Sequence, residues 1–221
     1  MARPERVTAS LTVMSLIFKP AHIGEVLISG FIRARIILLK KQDNTEGSTV
    51  FTFKTSDDYY ILGLWLADGY WRTSSIGLTS VTDDLIERFK EFLINNFPER
   101  TIKHGKYCVY INMRALVRIF MKFKSGDLVI PKKFIPAYFA GRIDGDGHVD
   151  RKHRSGIRIA YGDEFDARRD ESLLLAYQEN SVSVYRYKTA RTWVIYLRKN
   201  FLQAILPKLS LYSWKLLPRR D

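Results

Sequence analysis

The 221-residue sequence holds a single cysteine, Cys108. One thiol excludes an internal disulfide framework and any cysteine-cluster metal site, and it suits a reducing, intracellular compartment. Histidine is scarce as well, with His22, His104, His148 and His153. No HExxH pattern joins them, so a zinc hydrolase site is not expected. There is no run of about 18 uncharged apolar residues, hence no expected membrane-spanning helix. Leu11–Phe18 follows Arg3 and Arg6 in the manner of a signal peptide. That run is short, and no small-residue cleavage site precedes Lys19-Pro20, so the chain is read as non-secretory. Neither a Walker A loop nor a Gly-x-Gly-x-x-Gly turn is present, which argues against a nucleotide cofactor. Acid is in deficit: 23 Asp and Glu face 36 Lys and Arg, a net charge of +13. That excess points to a polyanionic partner.

Hydrophobic residues make up 46% and aromatics 13%, enough for a real core. Residues 1–50 read as an N-terminal extension of unknown role. They end in the polar stretch Lys40-Lys41-Gln42-Asp43-Asn44-Thr45-Glu46-Gly47-Ser48. From there an order of elements is expected twice, over 51–131 and 132–221. Thr55-x-x-Asp58 is a capping box opening a helix that runs to Asp68. Tyr70–Ser80 reads as two short strands. Asp83–Phe97 places Leu85, Ile86, Phe89, Phe92 and Leu93 on one helical face. Thr101–Asn112 reads as a second strand pair turning near His104-Gly105-Lys106, and Arg114–Phe123 as a closing helix. In the second half Pro136 sits in the first turn of a helix running to Gly145. A hairpin over His148–Tyr161, a helix over Asp166–Asn180, a hairpin over Val182–Leu197 and a helix over Asn200–Leu209 follow. Each half is αββαββα, and Asp68 and Asp146 stand 78 residues apart.

The two helices that open the repeats share an unusual ending. The first closes Ile61-Leu62-Gly63-Leu64-Trp65-Leu66-Ala67-Asp68-Gly69; the second, Phe139-Ala140-Gly141-Arg142-Ile143-Asp144-Gly145-Asp146-Gly147. Small residues four apart, Gly63 with Ala67 and Gly141 with Gly145, share a face and let two helix backbones approach closely. A mid-helix glycine costs about 1 kcal/mol against alanine, which such packing can offset. Each helix then ends in Asp-Gly, the glycine suiting a left-handed position past the helix end. An aspartate there opposes the partial negative charge of a helix C-terminus. Two such ends side by side would raise each other's pKa, and a divalent cation resolves the conflict. The pair Asp68 and Asp146 thus suits metal-dependent phosphodiester chemistry.

These two nonapeptides resemble the paired motifs of the LAGLIDADG homing endonucleases, in their single-chain, two-repeat form. The second copy is close to the family pattern; in the first, Leu62, Trp65 and Leu66 replace the expected alanine, isoleucine and first aspartate. The acid that carries metal in the family is present in both copies, as Asp68 and Asp146. The resemblance spans about residues 55–210. It implies an α+β fold of two pseudo-symmetric αββαββα repeats that form a DNA-binding saddle of antiparallel sheets, with helices on the opposite face. It implies a Mg²⁺- or Mn²⁺-dependent, intron-encoded endonuclease that breaks both strands of a long DNA target. The backbone carbonyls of Ala67 and Gly145 would help hold the metal. A basic or polar group near each last strand would assist: Lys199 or Arg198 in the second half, Asn112 or Arg114 in the first. Asp144 is expected to be solvated or paired with an arginine. The family also contains RNA-binding intron maturases and the fold supports cleavage-inactive DNA-binding regulators, so intron RNA is a second candidate partner. A monomer is implied, in a prokaryotic cytoplasm or a DNA-containing organelle.

Alternation assigns Ile76, Leu78, Ile157 and Ile159 to the core, and Ser75, Gly77, Thr79, Arg158 and Ala160 to the opposite face. Strand and turn residues expected at DNA are Arg72, Ser75, Thr79, Lys103, Lys106, Arg151, Lys152, Arg154, Arg158, Arg186, Lys188 and Arg191. Cys108 is read as a small core residue and His148 as a turn residue beside the acids. Residues 132–221 carry +8 of the net charge and residues 51–131 only +2. The second half is therefore expected to grip DNA through charge, the first through groups such as Tyr70, Trp71 and Ser75.

Overall fold

The computed structural model describes residues 51–149, 156–178, 182–187 and 191–216. The first half runs α1 (Ser56–Asp68), β1 (Gly69–Trp71), β2 (Ser75–Thr79), α2 (Asp83–Asn96), β3 (Lys103–Gly105), β4 (Cys108–Asn112) and α3 (Arg114–Lys124). After a 3₁₀ turn at Lys132–Phe134 the order repeats. The second half has α4 (Ile135–Asp146), β5 (Gly147–Val149), β6 (Gly156–Tyr161), α5 (Glu164–Tyr177), β7 (Val182–Tyr187), β8 (Thr192–Arg198) and α6 (Lys199–Leu209). The protein is α+β, with two four-stranded antiparallel sheets ordered β1-β2-β4-β3 and β5-β6-β8-β7. Among the described residues no helix is long and apolar enough to cross a membrane.

The capping box forms as its spacing predicts. Thr55 Oγ1 accepts from the Asp58 amide at 3.1 Å, and Asp58 Oδ2 accepts from the Thr55 and Lys54 amides at 2.8 Å each. Helix α5 starts two residues earlier than Asp166, because Asp163 caps it by accepting from the Asp166 amide at 2.8 Å. The β3–β4 turn lies at Lys106-Tyr107, one residue later than expected. Helix α5 ends at Tyr177, short of the expected Asn180, because the backbone turns extended at Gln178. Residues 150–155 and 188–190, where hairpin turns were expected, lie outside the described residues.

Helices α1 and α4 pack along each other at the centre and are buried nearly all round. A Cβ on Gly63 would fall 1.9 Å from the Tyr138 carbonyl oxygen; one on Gly141, 2.0 Å from that of Tyr60. The two glycines are thus reciprocal points of backbone contact. Gly69 and Gly147 differ from expectation. Both have extended dihedrals (φ −74° and −82°), because each chain passes from helix straight into strand. Their need for glycine is steric: an added Cβ would meet the Trp65 carbonyl at 2.3 Å or the Ile143 carbonyl at 2.4 Å.

Candidate active site

Because β1 and β5 leave α1 and α4 without a loop, Asp68 and Asp146 stand at the seam between the two halves. Gly145, the last small residue of α4, is where the helix ends meet. A Cβ there would lie 2.3 Å from the Ala67 Cβ and 3.2 Å from Asp68 Oδ2. Asp68 is raised to about 6, first by burial and then by the charge of Asp146, against the opposing pull of Lys215 and Arg142. Asp146 is also raised by burial, with Arg142 and Lys215 opposing.

Two cations that sequence reasoning did not assign to the site serve it. Arg142 is 1% exposed. Its Nη1 stands 4.0 Å from Asp146 Oδ2 and has no hydrogen-bond partner among the described residues, while its Nε donates to Asp170 Oδ2 at 3.2 Å. Asp170 also accepts from the hydroxyls of Tyr138 (2.7 Å) and Tyr161 (3.0 Å) and from Arg169. Largely buried and multiply bonded, this cluster holds Arg142 near Asp146. Lys215, past the end of α6, donates from Nζ to the carbonyls of Ile143 (3.0 Å), Gly145 (3.0 Å) and Gly147 (3.1 Å). Burial lowers its pKa, and Asp144, Asp68 and Asp146 oppose that. The Leu64 and Leu66 positions of α1 correspond to Arg142 and Asp144 of α4, so these charges have no counterpart in the first motif.

Asp144 is neither solvated nor paired with an arginine. It is 1% exposed and accepts from Tyr60 Oη at 2.8 Å, Ser213 Oγ, and the amides of Trp214 (3.1 Å) and Lys215 (3.3 Å). Its role is to tie the C-terminal segment to the helix seam.

The other expected catalytic groups are not brought to the acids. Gly69 aligns with Leu78 and Val109, and Asn112 pairs with Ser75, three residues further along. Arg198 stands in the equivalent position relative to Gly147. Three residues along and two strands across separate each from its helix end by about 14 Å of backbone. Lys199 opens α6 and Arg114 opens α3, adjacent to those same strand ends.

The face of the sheets turned away from the helices collects most of those expected DNA contacts that fall on described residues. In the first half a groove of about 570 Å³ is lined by Tyr70, Arg72, Ser75, Thr79, Lys106, Tyr107, Cys108 and Tyr110. Ser75 lies at its floor, only 6% exposed, and Cys108 lines it instead of the core. Lys103 pairs with Tyr110 across the same face. In the second half exposed Arg158 pairs with Tyr196 and faces His148, which is a strand residue. Arg186 and Trp71 break the expectation. Arg186 pairs with Trp193, and Trp71 with Ile76, so both belong to the helix side of their sheets. Tyr185 and Tyr187 take the outer face of β7 instead. Arg191 occupies a turn with φ 52°. Arg151, Lys152, Arg154 and Lys188 lie outside the described residues.

No family model matches the chain. Its backbone matches solved structures closely enough to classify it. The complex of I-DmoI with DNA and Mn aligns with a TM-score of 0.56, covering 70% of this chain and 97% of that one at 15% identity. The chain has the LAGLIDADG fold. A second match is full-length DUF199/WhiA from Thermotoga maritima, with a TM-score of 0.52 at 14% identity over 75% of this chain and 59% of that one. LAGLIDADG architecture explains why two αββαββα halves meet at paired helix ends. Among curated proteins, an A-type ATP synthase component of Methanopyrus kandleri is 29% identical over 98 residues, 41% of this chain. The matched stretch is 10% of that relative's length.

Proposed function

We propose that this chain is a site-specific endonuclease that cuts both strands of a long DNA duplex with Mg²⁺ or Mn²⁺. The observation that carries it is the opposed pair Asp68 and Asp146 at adjoining helix ends, at the seam of two sheets with basic and aromatic outer faces. Among the described residues no cluster of three or more His, Cys, Asp or Glu exists. The donor set is two carboxylates with backbone carbonyls, and a protein ammonium already rests on one of those carbonyls. Oxygen donors that attract a cation suit a hard divalent ion. Asp68, Asp146 and the carbonyls of Ala67 and Gly145 would hold it. When bound it supplies Lewis-acid stabilisation and an activated water for phosphodiester hydrolysis. Arg142 opposes the upward shift that burial imposes on Asp146 and so favours its ionised form as a ligand. Arg72, Lys103, Lys106 and Arg158 neutralise phosphates, while the tyrosines between them meet sugar and base edges. Solved complexes of I-DmoI with DNA and Mn, and with DNA and Ca, support this reading. The motif resemblance extends it to an intron-homing role, a monomeric state and residence wherever DNA is held.

A cleavage-inactive DNA-binding regulator is the second reading. It is favoured by Lys215, whose ammonium occupies the Gly145 carbonyl. WhiA structures are among those of this fold.

Selection from a randomised duplex library in Ca²⁺ tests the binding step common to both readings. We expect one long site, with log K falling against log salt at a slope of about −5 to −9 for 6–10 phosphates. Tighter binding to structured RNA than to any selected duplex would favour a maturase instead.

A further inference from the structure

The C-terminal segment is held to the body of the fold through Arg88, Ser56 and Asp144. Tyr212 gives its carbonyl to Arg88 at 2.8 Å and its hydroxyl to Ser56 at 3.2 Å. Arg88 itself lies over the Tyr60 ring at 3.4 Å, and Tyr60 reaches Asp144. Asp144 then takes Ser213, Trp214 and Lys215 in turn. Each bond fixes the backbone so that Lys215 Nζ arrives at the end of α4. There it meets the carbonyls of Ile143, which also accepts from the Gly147 amide, of Gly145 at the partially negative helix end, and of Gly147 in β5. Three donors meet three acceptors, so the ammonium is fully satisfied.

This is one of the two carbonyl positions assigned to metal. Asp68 is the carboxylate beside it, since Asp68 Oδ2 lies 3.2 Å from the point where a Gly145 Cβ would stand. Asp68, Gly145 and Lys215 also line one cleft of about 560 Å³ with Thr79, Ser80 and Tyr107. The Asp146 side carries Arg142 in addition, tied back to Asp170, while the charge of Lys215 is felt by both acids.

We propose that Lys215 is a resident cation of the Asp68–Gly145 side, and that a divalent ion binds there only by displacing its ammonium. The two sides of the site are then unequal before DNA arrives. The Asp146–Ala67 side loads first, and the Asp68–Gly145 side loads when Lys215 withdraws. Lys215 acts as a positioning residue: it holds the carbonyls in place and sets the order in which the sides fill. The inference rests on the metal-dependent reading above.

Mn²⁺ binding to the DNA-free protein, followed by electron paramagnetic resonance, tests it without reference to activity. Lys215→Met should bind Mn²⁺ about tenfold more tightly, because the charge-assisted bonds no longer compete. The gain should vanish in the double variant with Asp68→Asn. In the wild type, acylation of Lys215 measured by mass spectrometry should rise severalfold at saturating Mn²⁺, with Lys208 as the internal reference. That measurement decides alone if Lys215→Met does not fold. Equal or weaker Mn²⁺ binding by folded Lys215→Met, or labelling that Mn²⁺ leaves unchanged, overturns the role of Lys215. Mn²⁺ binding that neither Asp68→Asn nor Asp146→Asn lowers overturns the metal reading itself.

Discussion

Replacing Asp68 or Asp146 by asparagine should lower double-strand cleavage by about 10³-fold or more while leaving DNA affinity in Ca²⁺ within about twofold. The first figure follows from several kcal/mol of transition-state stabilisation lost with a metal ligand. The second follows because neither acid lies on the outer face of a sheet, where phosphates are met. Single-turnover cleavage and gel-shift titration check the two halves of the expectation. Loss of binding in proportion to loss of cutting would make the acids structural. Asp68→Asn carries a second signature. Its carboxyl is raised to about 6 from an ordinary 3.8, so the folded state binds the proton more tightly than the unfolded state. Stability therefore increases as pH falls from about 6 towards 4, and above 6 the buried charge costs stability. Discounted for partial solvent screening to about 1 kcal/mol, its removal should raise the metal-free midpoint at pH 7 by about 2–4 °C. At pH 4 the variant should melt with the wild type. On the metal-dependent reading, the acid that would hold the cation is thus a burden to the metal-free fold.

Gly63→Ala and Gly141→Ala should each destabilise the protein by about 3–5 kcal/mol, and the leucine variants should not fold. The added methyl would lie about 2 Å from a carbonyl oxygen of the facing helix, Tyr138 or Tyr60. Neither oxygen belongs to a flexible side chain, so α1 and α4 must separate. Separation exposes the facing sides of two helices that are buried nearly all round. The expected cost joins overpacking with partial loss of that contact. A fall in midpoint of about 10 °C or more is the expected reading for alanine. Because both helix ends carry an acid, the same variants should lose cleavage faster than they lose DNA binding. A fall of less than about 3 °C would mean that the helices do not meet at these glycines.

Much of this was legible in the sequence because local patterns and the fold agree. Leu85, Ile86, Phe89, Phe92 and Leu93 share a helical face and are buried; Ile76, Leu78, Ile157 and Ile159 alternate into the core. The repeated small residues and Asp-Gly endings announced the helix seam. What was missed depends on contacts between distant residues. Arg142 answers Asp170, 28 residues on, and Lys215 reaches carbonyls about 70 residues back. No local spacing signals either, although an arginine inside an otherwise apolar helix motif was a visible anomaly. Asp144 looked solvated because the segment that caps it comes from the far end of the fold. Arg186 and Trp71 were misplaced for a simpler reason. Which face a strand residue takes depends on register with the neighbouring strand, and one step inverts it. Gly69 and Gly147 look like left-handed helix caps, yet they are glycine because the preceding helical turn crowds their Cβ positions.

Metal-dependent cutting at the paired acids is the central claim. Its most direct test is to add Mg²⁺ to the wild-type complex with its Ca²⁺-selected duplex and to map both strand ends. We predict one break in each strand, and none in EDTA. A duplex that stays bound and intact through saturating Mg²⁺ and Mn²⁺ would contradict that claim and leave the regulator reading in its place.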